Sequence, residues 1–326
     1  MADDSTVAAD AADPGGGADA PPTVLVLGEA LVDVVRRDGV TVEEAPGGSP
    51  ANVAVALARL GVPTRLFTAL GDDESGERVR RWLRDSGVVV EAVTAPRTAS
   101  ATAHLQPDGS ASYEFDIAWD LPSVRVDIAE GIVHAGSIAS LMAPGADVVR
   151  SVLAAARSNA LVTYDPNIRP SLLHDRAATR RAVEELVGMA DVVKASDEDL
   201  HWLHPDRDPL ATAGEWVARG AGLVVVTAGA SGACAVASAS CGSTRTVAVP
   251  GRSVAVVDTV GAGDTFMGAL ICALRDEGFR DAMDRERLRD LDADTVRRLL
   301  RLGAAAAAVT VSRRGADPPR RAELNP

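Results

Sequence analysis

The chain has 326 residues, 47% apolar, 24% charged and 3% aromatic, with a formal net charge of −13. That is enough material for one large α/β domain with a buried core, and too apolar for a wholly disordered chain. An acidic surface of this size has no positive field to attract nucleic acid or an anionic membrane. A bound phosphate would therefore be met locally, by backbone amides, a metal or a few arginines.

The three cysteines, Cys234, Cys241 and Cys272, form no C-x-x-C pair, which argues against a disulfide framework or a zinc knuckle. The N-terminus is acidic without a signal-type apolar region, and no run of about 18 apolar residues occurs. The expectation is a cytoplasmic protein with neither membrane nor nucleic acid as a partner.

Residues 1–22, rich in Ala, Asp, Gly and Pro, predict a disordered tail. Thr23-Val-Leu-Val-Leu-Gly28 reads as a strand buried on both faces, as in a parallel sheet. Similar runs follow at 64–70, 131–135, 160–164, 191–193 and 223–227. Helical patterns occupy 49–60, 74–86, 146–158, 177–189, 197–203 and 210–219. This alternation predicts a doubly wound, mostly parallel α/β domain over 23–316, with helices on both faces and a C-terminal tail at 317–326. Asp38-Gly39 and Asp108-Gly109 each lie between short polar-interleaved runs, the strongest local hairpin signal. Those hairpins, at about 30–46 and 97–118, are expected to form a small antiparallel lid. The charge-rich stretch 275–301 reads as a solvated helix pair.

The most informative segment is Asp258-Thr-Val-Gly-Ala-Gly-Asp264, followed at once by an apolar helix. Amides converging at a helix N-terminus make an anion site. By spacing alone, Asp264 is equally an N-cap. A carboxylate beside an anion nest repels a phosphate. Its place makes chemical sense if it takes a proton from a hydroxyl attacking a phosphoryl group held there.

Residues 258–264 resemble the C-terminal signature of the ribokinase-like (PfkB) carbohydrate kinases. A second match is Gly47-Gly48-Ser-Pro-Ala-Asn52, with Gly71-Asp72-Asp73-Glu-Ser-Gly76 after it. Lesser matches keep the family's order: Gly28-Glu29…Asp33, Asp165-Pro-Asn167-Ile-Arg169, Lys194-Ala-Ser196-Asp-Glu-Asp199 and Thr227-Ala-Gly229-Ala-Ser-Gly232. The resemblance implies a ribokinase-like fold and an ATP-dependent sugar kinase, with Mg2+ on the ATP phosphates. Asp264 would be the general base, and the amides of Gly261, Ala262 and Gly263 the anion hole. Asp33, Gly47, Gly48, Asn52 and Arg169 would meet the sugar, joined from the lid by Arg97, Tyr113 and Phe115. Lys194, Ser196 and Asp199 would lie on the nucleotide side together with Gly263. Thr227, Gly229, Gly232 and Ala304 would complete that side. Asp258, with main-chain oxygens near Val260, Thr310, Arg313 and Gly315, corresponds to a K+ site.

Two departures stand out. Ser196-x-x-Asp199 replaces the family's usual Asn-x-x-Glu and changes its reach, and Ala304 takes a place near the adenine where relatives often carry a polar side chain. Gly-Gly-Ser-Pro-Ala-Asn with Asp-Pro-Asn-x-Arg resembles the fructokinase branch, implying fructose as acceptor. The alternatives are 2-keto-3-deoxygluconate kinase, ribokinase and a catalytically inactive sugar sensor. The lid strand Ser112-Tyr-Glu-Phe-Asp116 carries two acids and no arginine, which would repel a carboxylate substrate. A dinucleotide oxidoreductase is disfavoured because Gly28-Glu-Ala-Leu-Val-Asp33 lacks G-x-G-x-x-G. Lids pairing between subunits would give a homodimer.

Overall fold

The first apolar run becomes strand β1 (Val24–Leu27), every residue of it buried because both faces are covered. It lies between β4 (Thr64–Gly71) and β8 (Ile132–Gly136), parallel to both, with Val24 opposite Thr64 and Ile132. Beyond β4 comes β5 (Val89–Ala95), also parallel. Beyond β8 come β9 (Leu161–Asp165), β10 (Val192–Ser196) and β11 (Leu223–Thr227), again parallel. An antiparallel pair, β12 (Ala233–Ser238) and β13 (Thr244–Val249), completes the nine-stranded order β13-β12-β11-β10-β9-β8-β1-β4-β5. The chain winds both ways from β1, and ligands of such sheets bind at the strands' carboxyl ends where the winding reverses. The computed structural model describes residues 24–105, 111–117, 119–121, 131–239 and 242–324, apart from the side chains of Leu105, Ala111 and Tyr113. The expected tail at 1–22 and the Asp108-Gly109 turn lie outside these residues.

One face of the sheet is covered by α1 (Ser49–Arg59), α2 (Glu74–Asp85), α7 (Ala262–Asp276) and α9 (Ala293–Val311). The other is covered by α3 (Gly145–Ala156), α4 (Arg176–Val187), α5 (Asp197–Leu203) and α6 (Pro209–Ala218). Asp73, Asp175, Ser196, Asp208 and Asp292 cap α2, α4, α5, α6 and α9 by accepting first-turn amides. In contrast, α1 and α7 start from Gly48 and Gly261 with no side-chain cap. Their open N-termini both face the site described below.

The apolar runs in the sequence do not include β5, β12 or β13. Edge strand β5 and terminal strand β13 alternate with exposed residues, so neither carries the continuous pattern of a doubly covered strand. The stretch 275–301 also differs from its expectation. It holds the end of α7, the one-turn α8 (Arg285–Leu288) and only the start of α9, and its Arg285 bonds the buried Asp191 at 2.6 Å. Residues 317–324 pack on the body: Arg59 donates to Asp317 and Pro318, and Arg321 meets Asp276 at 2.6 Å. No helix among the described residues is long and apolar enough to cross a membrane.

The lid is a second sheet of β2 (Leu31–Arg37), β3 (Val40–Gly47), β6 (Ala99–Leu105) and β7 (Ala111–Asp116), in the order β3-β2-β6-β7. Each hairpin is antiparallel, while β2 and β6 join in parallel. They do so because β2 follows β1 and β6 follows β5, which run the same way in the main sheet. Asp73 ties the lid to the body. While capping α2, it also accepts the Thr98 amide and hydroxyl, each at 2.7 Å.

Candidate active site

Between lid and body lies a cavity of about 670 Å³. On the lid side, Ala45, Asp33, Ala101 and Phe115 form one row across all four strands. On the body side are the N-terminal turns of α1 and α7 and the loops after β1, β8 and β9, which contribute Ser49, Asn52, Asp264, Ser137 and Asn167. Two helix dipoles thus present their positive ends to one cavity.

Asp264 is 6% exposed, and three donors meet on its carboxylate. Ser49 Oγ donates to Oδ1 at 2.7 Å, Asn52 Nδ2 to Oδ2 at 2.8 Å, and Asn167 Nδ2 to Oδ1 at 3.2 Å. The N-cap reading of Asp264 does not hold, because Gly261 takes that position and the carboxylate bonds across to α1. Gly261 adopts φ 73°, and a Cβ there would lie 2.6 Å from the Ala316 methyl, so glycine is required. Of the nest amides, Ala262 donates to the Thr259 carbonyl over a long 3.3 Å, whereas those of Gly261 and Gly263 have no acceptor among the described residues.

Asp33 reaches the cavity only because residue 47 is glycine, where a Cβ would lie 2.1 Å from the Asp33 Oδ2. Burial pushes the Asp33 carboxyl up to about 6; Arg169 opposes the shift and Asp264 adds to it. Glu29, 3% exposed and given no role by the sequence, also lines the cavity and accepts the Ala139 amide at 3.1 Å. Burial pushes it up to about 7 against the bonds from Ser137 and Ala139 and the charge of Arg169. Ser49 and Asn167 were likewise within matched motifs but without a role. The signal for all three was a polar residue at the end of a buried strand or the start of a capless helix.

Phe115 and Arg169 line the cavity as expected, Arg169 at its exposed rim. Arg97 does not: it pairs with Asp116 at the lid's outer root, Nε to Oδ2 at 2.5 Å. Tyr113 pairs in β7 opposite Ala103, and its side chain is outside the described atoms. The lid acids Glu114 and Asp116 are engaged elsewhere, with His104 at 3.1 Å and with Arg97, and neither lines the cavity. The acids that do are Glu29, Asp33 and Glu43, with Asp258 and Asp264, against Arg169.

The expected nucleotide side is built differently. Lys194, the chain's single lysine, is 3% exposed, with Nζ 2.6 Å from Asp165 Oδ2 and 3.1 Å from where a Cβ on Gly263 would be. Burial works against its charge, but Asp165, with Asp264 and Asp199 further off, outweighs that and holds the ammonium above its ordinary pKa. Asp165 Oδ1 is buried without a partner among the described residues. Ser196 and Asp199 form a reciprocal capping box on α5, and Asp199 Oδ1 also accepts the Ile168 amide at 2.8 Å. Thr227 stands next to Ser196 across β10 and β11. Gly229 and Gly232 shape the turn into β12, and Ala304 on α9 packs against the core. None of these last four lines the cavity.

The residues matched to the cation site do come together. Asp258 Oδ1 accepts the Val260 amide at 3.0 Å and Oδ2 the Gly315 amide at 2.9 Å. The Thr310 carbonyl accepts the Arg313 amide at 3.0 Å, and the Val311 carbonyl accepts Val257 and Asp258. Among the described residues no group of three His, Cys, Asp or Glu is placed to hold a metal ion.

In sequence and in fold the chain is similar to known proteins. Residues 22–322 match the pfkB family carbohydrate kinases. A fructokinase of Rhizobium leguminosarum bv. trifolii is 36% identical over 267 residues, 77% of this chain and 79% of its own. The fructokinase of Xylella fastidiosa with bound ATP superposes with a TM-score of 0.79 at 28% identity, covering 93% of this chain and 96% of its own. That of Vibrio cholerae O395, in its fructose, ADP and calcium ion bound form, gives 0.78 at 27% identity over 94% and 98%. The chain belongs to the pfkB family of carbohydrate kinases. It is a sugar kinase with a ribokinase-like fold.

Proposed function

We propose that the chain is an ATP-dependent fructokinase in which Asp264 is the general base. The observation that carries this reading is the Asp264 carboxylate, buried in the lid-covered cavity at the open N-terminus of α7. The sugar hydroxyl gives its proton to Asp264 as its oxygen bonds the γ-phosphorus. The bond from that phosphorus to the β–γ bridging oxygen breaks, and ADP leaves with its electron pair. The unpartnered amides of Gly261 and Gly263, with the helix dipole, suit the phosphoryl oxygens. Lys194 supplies the nearest fixed positive charge to that turn. Asn52 Oδ1, buried without a partner among the described residues, is an acceptor suited to a sugar hydroxyl, as is Asp33.

A neutral ketose fits the cavity better than a sugar acid, because several carboxylates line it against one arginine. Asp33 and Glu43 carry this repulsion instead of Glu114 and Asp116, while burial raises Glu29 to about 7 and weakens its share. Mg2+ would neutralise the ATP phosphates. That ion usually keeps several waters, so it need take few ligands from this chain. K+ would be held by Asp258 and the carbonyls around Val260, Thr310, Arg313 and Gly315, hard oxygens that keep a second acceptor position where they already accept an amide. Exposed Val40 and Val42 on the outer lid strand support pairing of lids between two copies.

The test is ADP release measured with fructose, ribose, 2-keto-3-deoxygluconate and nucleosides. Fructose should give the highest kcat/KM, and turnover should fall when Na+ replaces K+. A preference for the sugar acid would refute the charge argument, and equal rates in the two salts would refute the cation site.

A further inference from the structure

We propose that Ser49 and Asn167 are positioning residues that fix the Asp264 carboxylate and leave Oδ2 as the oxygen that receives the sugar proton. This rests on Asp264 being the base. Each carboxylate oxygen accepts about two hydrogen bonds. Oδ1 already accepts two, from Ser49 and Asn167, whereas Oδ2 accepts one, from Asn52. The unfilled acceptor position that a hydroxyl can take is therefore on Oδ2.

Bond directions are fixed by chemistry. The Asn167 amide nitrogen only donates, and it lies 2.7 Å from Ser49 Oγ, so the serine must give its single proton to Asp264. Ser49 is free to do so because it is the first residue of α1, one place beyond the Gly48 N-cap, and so does not cap its own helix. Asn167 holds a left-handed backbone at φ 37°. The next amide, that of Ile168, is bound by Asp199 Oδ1 at 2.8 Å, and Asp199 is itself locked in the α5 capping box. A continuous set of bonds therefore runs from the start of α5 to the carboxylate. The shorter Asp199, in place of the family's usual glutamate, closes the cap and grips this loop.

The experiment compares Ser49→Ala, Ser49→Thr, Asn167→Gly and the Ser49→Ala/Asn167→Gly double variant with the parent. Glycine keeps the left-handed backbone accessible, and melting curves confirm folding. Fructose and ATP kinetics are measured, with fructose binding by calorimetry. Misplacement of a reacting group costs up to about 100-fold. Ser49→Ala and Asn167→Gly should each lose about 10- to 100-fold in kcat, with fructose KM and Kd within about threefold of the parent. The double variant should fall well short of the product of the single losses, because Asn167 acts largely through Ser49. Ser49→Thr, which keeps the hydroxyl, should recover most of the rate.

Unchanged kcat in both single variants overturns the proposal. So does a loss confined to KM and Kd, which would make the pair sugar contacts, or a Ser49→Thr as slow as Ser49→Ala. Asp264→Asn separates the two levels. If it keeps turnover, the base assignment fails; if it abolishes turnover while Ser49→Ala and Asn167→Gly match the parent, only the positioning role fails.

Discussion

On one side of Asp264, lid and helix ends enclose a cavity in which side chains up to 215 positions apart are hydrogen-bonded. On the other, Thr227, Gly229 and Gly232 lie at the carboxyl end of β11 and its turn, outside that cavity, while Ser196 and Asp199 serve the local helix cap. Under the proposed function the two halves face different tasks. A small uncharged acceptor offers only hydroxyls, so it must be recognised by side chains fixed in an enclosed space. A triphosphate carries its own charge and can be held by backbone amides at a helix N-terminus, which ask little of individual side chains. The enclosed half should therefore be sensitive to single substitutions, and the open half tolerant.

The largest effect expected is that of Asp264→Asn, which removes the proposed base but keeps its size. Turnover should fall about 10²- to 10⁴-fold with fructose binding retained in calorimetry; activity within threefold of the parent would erase the contrast between the halves. Next comes Lys194→Met, which leaves the buried Asp165 without its ion partner, its carboxyl already pushed up to about 6 by burial against the lysine's charge. Removing one partner of a buried pair costs about 3–5 kcal/mol, read as a large drop in Tm. The Lys194→Met/Asp165→Leu double variant should recover part of it. If Lys194→Met melts like the parent, the pair contributes nothing structural.

Asp33 gives a pH test. Its carboxyl is raised to about 6, so it gains a proton as pH falls through that value, far above the unfolded 3.8. Fructose KM should rise several-fold between pH 7.5 and pH 5 for the parent, and this pH dependence should flatten in Asp33→Asn. Glu29, raised to about 7, bears on stability instead. A buried acid with a raised pKa favours folding below its unfolded value of 4.5 and weighs against it as pH climbs through 7. Glu29→Gln should gain Tm relative to the parent on going from pH 5 to pH 8. The smallest effect belongs to the open half: Ser196→Ala loses one N-cap, worth about 1 kcal/mol, with fructose KM unchanged.

Much of this was legible in the chain itself. The parallel sheet, the six helices read between 49 and 219, and the two hairpins follow from periodicity and Asp-Gly turns, which are local. The edge and terminal strands were hidden because partial exposure breaks their apolar runs. Within the site, Asp33, Asn52 and Asp264 were found by motif and do face one cavity. Arg97 was misplaced toward it because it lies in the bend between β5 and β6, where its partner Asp116 and not strand alternation sets its facing.

The amino-acid sequence by itself determined the layers, through periodicity within a few positions, and marked the glycines at 47 and 261 and the carboxylate at 264 by motif. Only the tertiary structure decided that Ser49 and Asn167 converge on that carboxylate, that Asp199 grips a loop, and that Glu29 and Glu43, not Glu114 and Asp116, line the cavity. The physical reason is range. Backbone preference and side-chain period act within a turn or a strand, whereas hydrogen bonds between residues 97 or 118 positions apart exist only once the sheet has set its strand order.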